Sequence, residues 1–314
     1  MFTIKQPSTI IFGKYSAHVY EYPKNSLVIT SSGAKKRNWL EYLQLKNYYI
    51  FDQVESNPSI SITASIINEF KKTNFPTVIG IGGGSCLDVA KFVAAKLNKK
   101  KILIPTTFGS GSDVTRISVL KVDGKKQSFH DDNFFADVSI VDSDFLSNTP
   151  IQVKKNSAID ACAQCSEGFD SKSGNIYTRF LCKKAFDFLE DGILNKNDEK
   201  LVMGSLIAGL GFGNCSTTLG HALSYVFSNE GFSHGHALAY TTTLAHKFNG
   251  SIFYDRFLQL VKELKFAPIS LKTNLDEAAD LILTDRKHLE NNPKSVNKKE
   301  IVELLVQATK NVIQ

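Results

Sequence analysis

The fold turns on Thr77-Val78-Ile79-Gly80-Ile81-Gly82-Gly83-Gly84-Ser85. A short β-branched run passes through three glycines into Cys86-Leu87-Asp88-Val89-Ala90-Lys91, where the apolar residues recur at helical spacing. A strand that turns into a helix through glycine lets the backbone approach a ligand closely. The N–H groups of the opening helical turn then face an anion, normally a pyrophosphate. A tight strand-to-helix turn without a ligand would use the same glycines, so the loop needs support from its surroundings.

Working outward, β-branched runs recur at Thr9–Phe12, Ser26–Thr30, Tyr48–Phe51, Lys101–Ile104 and Val138–Val141, with amphipathic segments between several of them, such as Ile62–Lys72 and Leu87–Leu97. Strands alternating with helices imply a mainly parallel, doubly wound α/β sheet. Arg116–Phe129, centred on Asp123-Gly124, reads as a hairpin inserted before the last strand. A second small-residue loop, Pro105-Thr106-Thr107-Phe108-Gly109-Ser110-Gly111-Ser112-Asp113, again follows a strand. Its hydroxyls suit phosphate or ribose, and two such loops at strand carboxyl ends make a dinucleotide site far more specific than one. The candidate cofactor contacts are Gly82, Gly83, Gly84, Ser85, Asp88, Thr106, Thr107, Ser110 and Ser112.

After Thr149-Pro150 helical periods take over: Asp160–Phe169, Thr178–Leu189, Leu201–Gly213, Thr217–Phe227, Ala237–Phe248, Phe257–Leu264 and Lys298–Lys310. The organisation expected is an α/β dinucleotide domain over 1–150 and an all-helical domain over 151–314, with the cleft between them as the default site. Metal candidates lie in the second part. Asp160 and Gln164 stand one helical turn apart on one face, and His221 and the pair His234-Gly235-His236 follow.

Composition removes other classes. The 314 residues are 42% hydrophobic and 22% charged, an ordinary globular balance. Leu201–Asn229 lacks Asp, Glu, Lys and Arg, but its apolar part is too short to span a bilayer core of about 30 Å. The first residues lack a secretory pattern, so a soluble cytoplasmic protein is expected. The net charge of +6 is diffuse, and only five of the 37 basic residues are Arg, with no nucleic-acid-binding signature. It favours anionic small molecules as partners. Five cysteines, Cys162 and Cys165 forming a single CxxC, make neither a disulfide framework nor a zinc ribbon; burial as small residues is expected.

Taken together, Gly82-Gly83-Gly84-Ser85-x-x-Asp88-x-x-Lys91, Pro105-Thr106-Thr107-x-Gly109-Ser110-Gly111-Ser112-Asp113, Asp160-Ala161, His221-Ala222-Leu223-Ser224-Tyr225, Ser233-His234-Gly235 and Asn292-Pro293-Lys294 resemble the iron-containing, group III alcohol dehydrogenases. They occur in the family order over the whole chain, although 314 residues is short for that family. The resemblance implies a Rossmann-like dinucleotide domain followed by an all-α metal-binding domain, the dehydroquinate synthase-like fold. It also implies a divalent metal, iron or sometimes zinc, and a dimer or larger assembly.

The family holds its metal with an Asp, a His four residues later and two further His. Asp160, His221 and His234 match three positions, and Gln164 stands at the fourth. An amide oxygen is a weaker ligand than imidazole. Gln164 then completes the shell, leaves room for water or contacts substrate, with His236 as an alternative ligand. The His221-to-His234 spacing is one residue shorter than usual. Gln164 with His-Ala-x-Ser-Tyr and His-Gly-His-Ala resembles the phosphonoacetaldehyde reductases (2-hydroxyethylphosphonate dehydrogenases), with malonic or succinic semialdehyde reductases as the nearest rivals.

Where NAD-using members carry an acidic residue after the second strand, this chain has Ser31 and Ser32, followed by Lys35, Lys36 and Arg37. Loss of the carboxylate removes repulsion of a 2′-phosphate, which favours NADPH over NADH. Arg116, next to the second loop in a stretch that borders the substrate cleft in related enzymes, is a candidate bidentate grip for a phosphonate or carboxylate; a pairing with a surface carboxylate is the alternative. The implied reaction is reduction of a small anionic aldehyde, with Tyr225, His236 or a relayed water as proton donor. The rival classes are a dehydroquinate synthase-like lyase, which would need more basic residues, and a nucleotide-binding protein that has lost its metal.

Overall fold

The computed structural model describes residues 1–146 and 149–310. They divide into two compact units, Ile4–Thr149 and Pro150–Gln314 together with Met1–Thr3. No helix among the described residues is long and apolar enough to cross a membrane.

The first unit runs β1 (Thr9–Phe12), α1 (Ser16–Val19), β2 (Leu27–Ile29), α2 (Gly33–Lys36), α3 (Trp39–Tyr42), β3 (Tyr49–Phe51), α4 (Ile60–Phe70), β4 (Thr77–Gly82), α5 (Gly84–Lys96), β5 (Lys100–Pro105), β6 (Ile117–Val122), β7 (Lys125–His130) and β8 (Val138–Val141). Six strands form one parallel sheet in the order β1-β8-β5-β4-β2-β3. The period-2 alternation of a strand divides its side chains between two cores. Leu27, Ile29, Val78 and Leu103 face α4 and α5, whereas Val28, Ile79, Ile81, Ile102 and Ile104 pack with Ala17, Leu40 and Leu43 on the other side. Burial on both faces is why these strands read as near-continuous apolar runs.

From β2 the chain moves outward to β3, then returns to the other side of β2 as β4. This reversal puts the crevice outside the carboxyl ends of β2 and β4, between Ser31 and the glycine loop, the place where doubly wound sheets bind ligands. The inserted hairpin β6–β7 forms with the expected two-residue turn, Asp123 at φ 47° and Gly124 at φ 78°. Both values suit the turn that matches strand twist.

The second unit is helical: α6 (Ile151–Asp170), α7 (Ile176–Leu194), α8 (Asp198–Phe212), α9 (Leu219–Asn229), α10 (His234–Asn249), α11 (Tyr254–Leu264), α12 (Leu275–Leu283), α13 (Arg286–Asn291) and α14 (Lys298–Thr309). Asn and Asp side chains cap five of them, and Asn175–Thr178 and Asn297–Glu300 form reciprocal boxes. α6 starts nine residues before the apolar pattern does, because Ile151–Ser157 lies largely toward solvent and carries no stripe. α12 and α13 went unread from the sequence; they are short, and α12 carries three acidic residues. All five cysteines are buried and free.

Candidate active site

In the first unit the two small-residue loops pack on each other. Thr106 N–H donates to the Gly82 carbonyl at 2.9 Å. A Cβ on Gly83 would approach Thr107 Oγ1 to 3.1 Å, and one on Gly84 would approach Ser110 Oγ to 3.1 Å. Gly82 has φ +147°, and a Cβ there would strike Cys86. Gly83 caps α5 without a side-chain bond, which leaves the first N–H groups of that thirteen-residue helix for a ligand. Thr106 Oγ1 is buried with no protein partner among the described residues. An uncapped helix start, glycines with no room for a side chain and a buried hydroxyl awaiting a partner fit a dinucleotide phosphate.

Two of the expected cofactor contacts are corrected. Asp88 and Ser112 are buried and bonded to protein: Ser112 Oγ donates to Asp88 Oδ1 at 2.6 Å, and Val119 N–H donates to Oδ2 at 3.0 Å. Lys91, fully buried, lies 3.1 Å from Asp88 and donates to the carbonyls of Ser112, at 2.8 Å, and Ile117. Burial lowers the Lys91 pKa, and Asp88 counters it. This cluster ties the second loop and the hairpin to α5; its work is to shape the loop.

At the β2 end, Ser31 is half-buried and Ser32 exposed. Lys35 is paired with Asp52 at 2.7 Å. Lys36 is exposed, and the Arg37 guanidinium lies 5.1 Å over the Trp39 ring, against Gly33. Arg116 takes the alternative expected for it, a pairing with a surface carboxylate. Its Nη1 donates to Asp132 at 3.0 Å, and Lys5 reaches the same carboxylate. The hairpin causes this, because Ile117 pairs with His130 and so returns Asp132 to the side of Arg116.

In the second unit α6, α9 and α10 bring three of the metal candidates together. Asp160 Oδ1 lies 3.9 Å from His221 Nε2 and 4.0 Å from His234 Nε2, and one ligand atom from each residue falls within 4.8 Å of the others. Two donors each about 2.1 Å from one ion stand at most about 4.2 Å apart, so the two separations from Asp160 suit a shared divalent cation. Gln164 Nε2 donates to Asp160 Oδ1 at 2.9 Å, and its Oε1 is buried with no partner among the described residues. That amide therefore orients the carboxylate and leaves its own buried oxygen without a protein partner. The residues present fit a metal.

Around the cluster, Glu167 is buried and takes a hydrogen bond from His221 Nδ1 at 3.0 Å. Burial opposes its charge, but the proximity and bond of His221 and the Thr218 N–H bring its pKa down to about 2. Burial likewise opposes a charged His221, yet Glu167, then Asp160 and Asp285, hold it above the ordinary histidine range. Tyr225 stacks on His234, with ring centres 6.0 Å apart; burial raises its phenol pKa. His236 is corrected as a ligand: its Nε2 bonds the Ala267 carbonyl, and its ring packs on Phe232 and Phe266. Two residues along α10, it projects about 200° round the helix from His234.

His288, unread from the sequence, stacks on His221 at 6.2 Å and lies 5.9 Å from Tyr225. Its Nδ1 donates to Asp285 at 2.7 Å. The signal was Asp285-x-x-His288, ending four residues before Asn292-Pro293. Asn292 itself is buried and accepts the Leu219 N–H at 3.4 Å, tying this C-terminal element to the start of α9.

Family models for iron-containing alcohol dehydrogenases match residues 7–143, and their C-terminal counterpart matches 155–282. The chain belongs to the iron-containing alcohol dehydrogenase family. It is 31% identical over 209 residues to 4-hydroxybutyrate dehydrogenase of Clostridium kluyveri, covering 57% of this chain and 56% of that one. The chain thus spans a little over half the length of the curated relatives it matches. The crystal structure of an iron-containing alcohol dehydrogenase from Thermotoga maritima superimposes with a TM-score of 0.90 at 23% identity, covering 99% of this chain and all of the other. That of sulfoacetaldehyde reductase from Bifidobacterium kashiwanohense in complex with NAD+ gives 0.89 at 22%, covering 99% of each. At these identities the structures establish the Rossmann-like and helical fold.

Proposed function

We propose that this family member is a metal-dependent, NADPH-linked reductase of a small anionic aldehyde, with phosphonoacetaldehyde, reduced to 2-hydroxyethylphosphonate, as the leading substrate. The observation that carries the reading is the convergence of Asp160, His221 and His234 beside the orphaned Gln164 oxygen. Two relatives named above act on anionic compounds, 4-hydroxybutyrate and sulfoacetaldehyde by their names, which supports an anionic substrate. Malonic or succinic semialdehyde is the second reading.

Asp160, His221 and His234, with Gln164 beside Asp160, would hold a divalent ion, iron before zinc, that would supply Lewis-acid polarisation of the carbonyl, and a bound dinucleotide would supply hydride. The chain's residues do the rest. The start of α5 and the Thr106 hydroxyl bind and orient the pyrophosphate. Ser31, lacking charge, would admit a 2′-phosphate, and the exposed Lys36 follows it on α2. Asp160, aimed by the Gln164 amide, sets the ion's position. Tyr225 and His288 pack round the same cluster and are the candidates to pass a proton to the alcohol oxygen, directly or through water.

The reading takes the enzyme as a cytoplasmic homodimer that engages no nucleic acid or membrane. The test is NADPH oxidation by iron-reconstituted protein with phosphonoacetaldehyde, malonic semialdehyde and succinic semialdehyde at matched concentrations. A kcat/KM preference of roughly tenfold, about 1.4 kcal/mol in transition-state binding, supports the phosphonate. A carboxylate preference moves the substrate, and turnover of none of the three refutes the reading.

A further inference from the structure

Glu167 lies on α6 seven residues after Asp160 and three after Gln164, so the three share one helix face. Only 1% of Glu167 is exposed. Its Oε2 accepts the Thr218 N–H at 2.6 Å and the His221 Nδ1–H at 3.0 Å, and its Oε1 accepts the Thr242 hydroxyl at 3.3 Å. Thr218 caps α9, His221 is on α9 and Thr242 is on α10. One carboxylate therefore touches both helices that carry the histidines, from the helix that carries Asp160. The fit is close: a Cβ on Gly220 would collide with Glu167 Oε1 and Thr242 Oγ1.

We propose that Glu167 is the positioning residue of the metal centre, fixing His221 with its proton on Nδ1 and its lone pair on Nε2, aimed at Asp160. The inference rests on reading Asp160, His221 and His234 as a metal centre. A carboxylate behind a ligating imidazole selects the tautomer, orients the ring and raises its donor strength. Here the same carboxylate also sets the spacing of α9 and α10, and with it the Asp160-to-His221 and Asp160-to-His234 separations.

Cobalt(II) reports the test. Chelator-stripped wild type and Glu167→Gln, which keeps the shape and loses the charge, are titrated with Co2+ and followed by visible ligand-field absorption, with apo melting temperatures measured alongside. The expected result is one Co2+ per wild-type chain and about 10- to 100-fold weaker uptake by the variant, with a displaced band. Equal affinity and an unchanged band overturn the inference. Weaker uptake with an unchanged band and a lower apo melting temperature makes Glu167 a general support of the fold and overturns it too. No Co2+ uptake by wild type refutes the metal reading itself, which separates the two failures. Should the variant not fold, long-range 1H–15N spectra of zinc-loaded wild type decide: His221 protonated on Nδ1 is expected, and a proton on Nε2 overturns the proposal.

Discussion

Lys91→Met tests how the dinucleotide loop is held. Lys91 is wholly inside the first unit, where its ammonium lies 3.1 Å from Asp88 and donates to two carbonyls, one before and one within the hairpin. Methionine keeps much of the volume and removes all three interactions. It leaves Asp88, 8% exposed, as a buried carboxylate without its cation. Breaking such a pair from one side costs about 3–5 kcal/mol, a large share of the roughly 5–15 kcal/mol that stabilises a domain. At about 2–4 °C per kcal/mol for a unit of this size, the melting temperature should fall by about 6–20 °C. The chain has one tryptophan, and Trp39 packs edge-on against Phe145 in the first unit, so its fluorescence follows that unit's unfolding. Asp88→Asn with Lys91→Met removes the stranded charge and should recover part of the loss, because removing both partners costs less than orphaning one. A single variant that melts within about 1 °C of wild type would refute the assignment of Lys91 as the tie between loop and helix.

Other consequences follow from the same geometry. Arg116→Ala, which severs an exposed pair with Asp132, should change stability by less than about 1 kcal/mol and alter kcat/KM for anionic and neutral aldehydes by the same factor; a selective loss with the anionic substrate would restore Arg116 as an anion grip. Gln164→His offers imidazole in place of an amide oxygen and should tighten zinc binding about tenfold in a chelator competition, unless loss of the bond to Asp160 dominates and weakens it, which would assign Gln164 an orienting role alone. Because Glu167 and Asp160 hold the His221 pKa above the ordinary range, metal competes with a proton for it up to a higher pH than it would for a free imidazole. Calorimetry in buffers of different ionisation heat should therefore show proton release on metal uptake, with affinity still rising with pH above about 6.5; pH-independent affinity across that range would contradict it.

Much of this arrangement was legible in local patterns. The strands announced themselves because burial on both faces demands β-branched runs, and Asp123-Gly124 announced its turn because both positions need positive φ. Asp160 and Gln164 were placed on one face by helical spacing alone. The polar stripe continues to Glu167 through an otherwise small and apolar segment, a signal that could have been read. Its partners could not: His221 is 54 residues away, and only packing of α9 against α6 brings them together. The partners of Arg116 and Asp88 were hidden for the same reason, since the carboxylate beside one and the hydroxyl and amide beside the other arrive through the hairpin and loop. His288 escaped because α13 is six residues long, too short to show a period.

The most direct measurement is an iron titration of chelator-stripped protein, with bound metal and NADPH-dependent aldehyde reduction read on the same samples. The account predicts no turnover without metal, a linear rise to a plateau at one ion per chain, and loss of both binding and turnover in Asp160→Asn. Turnover by the metal-free protein, or full occupancy of the Asp160 site with no reduction of any small anionic aldehyde, would contradict it.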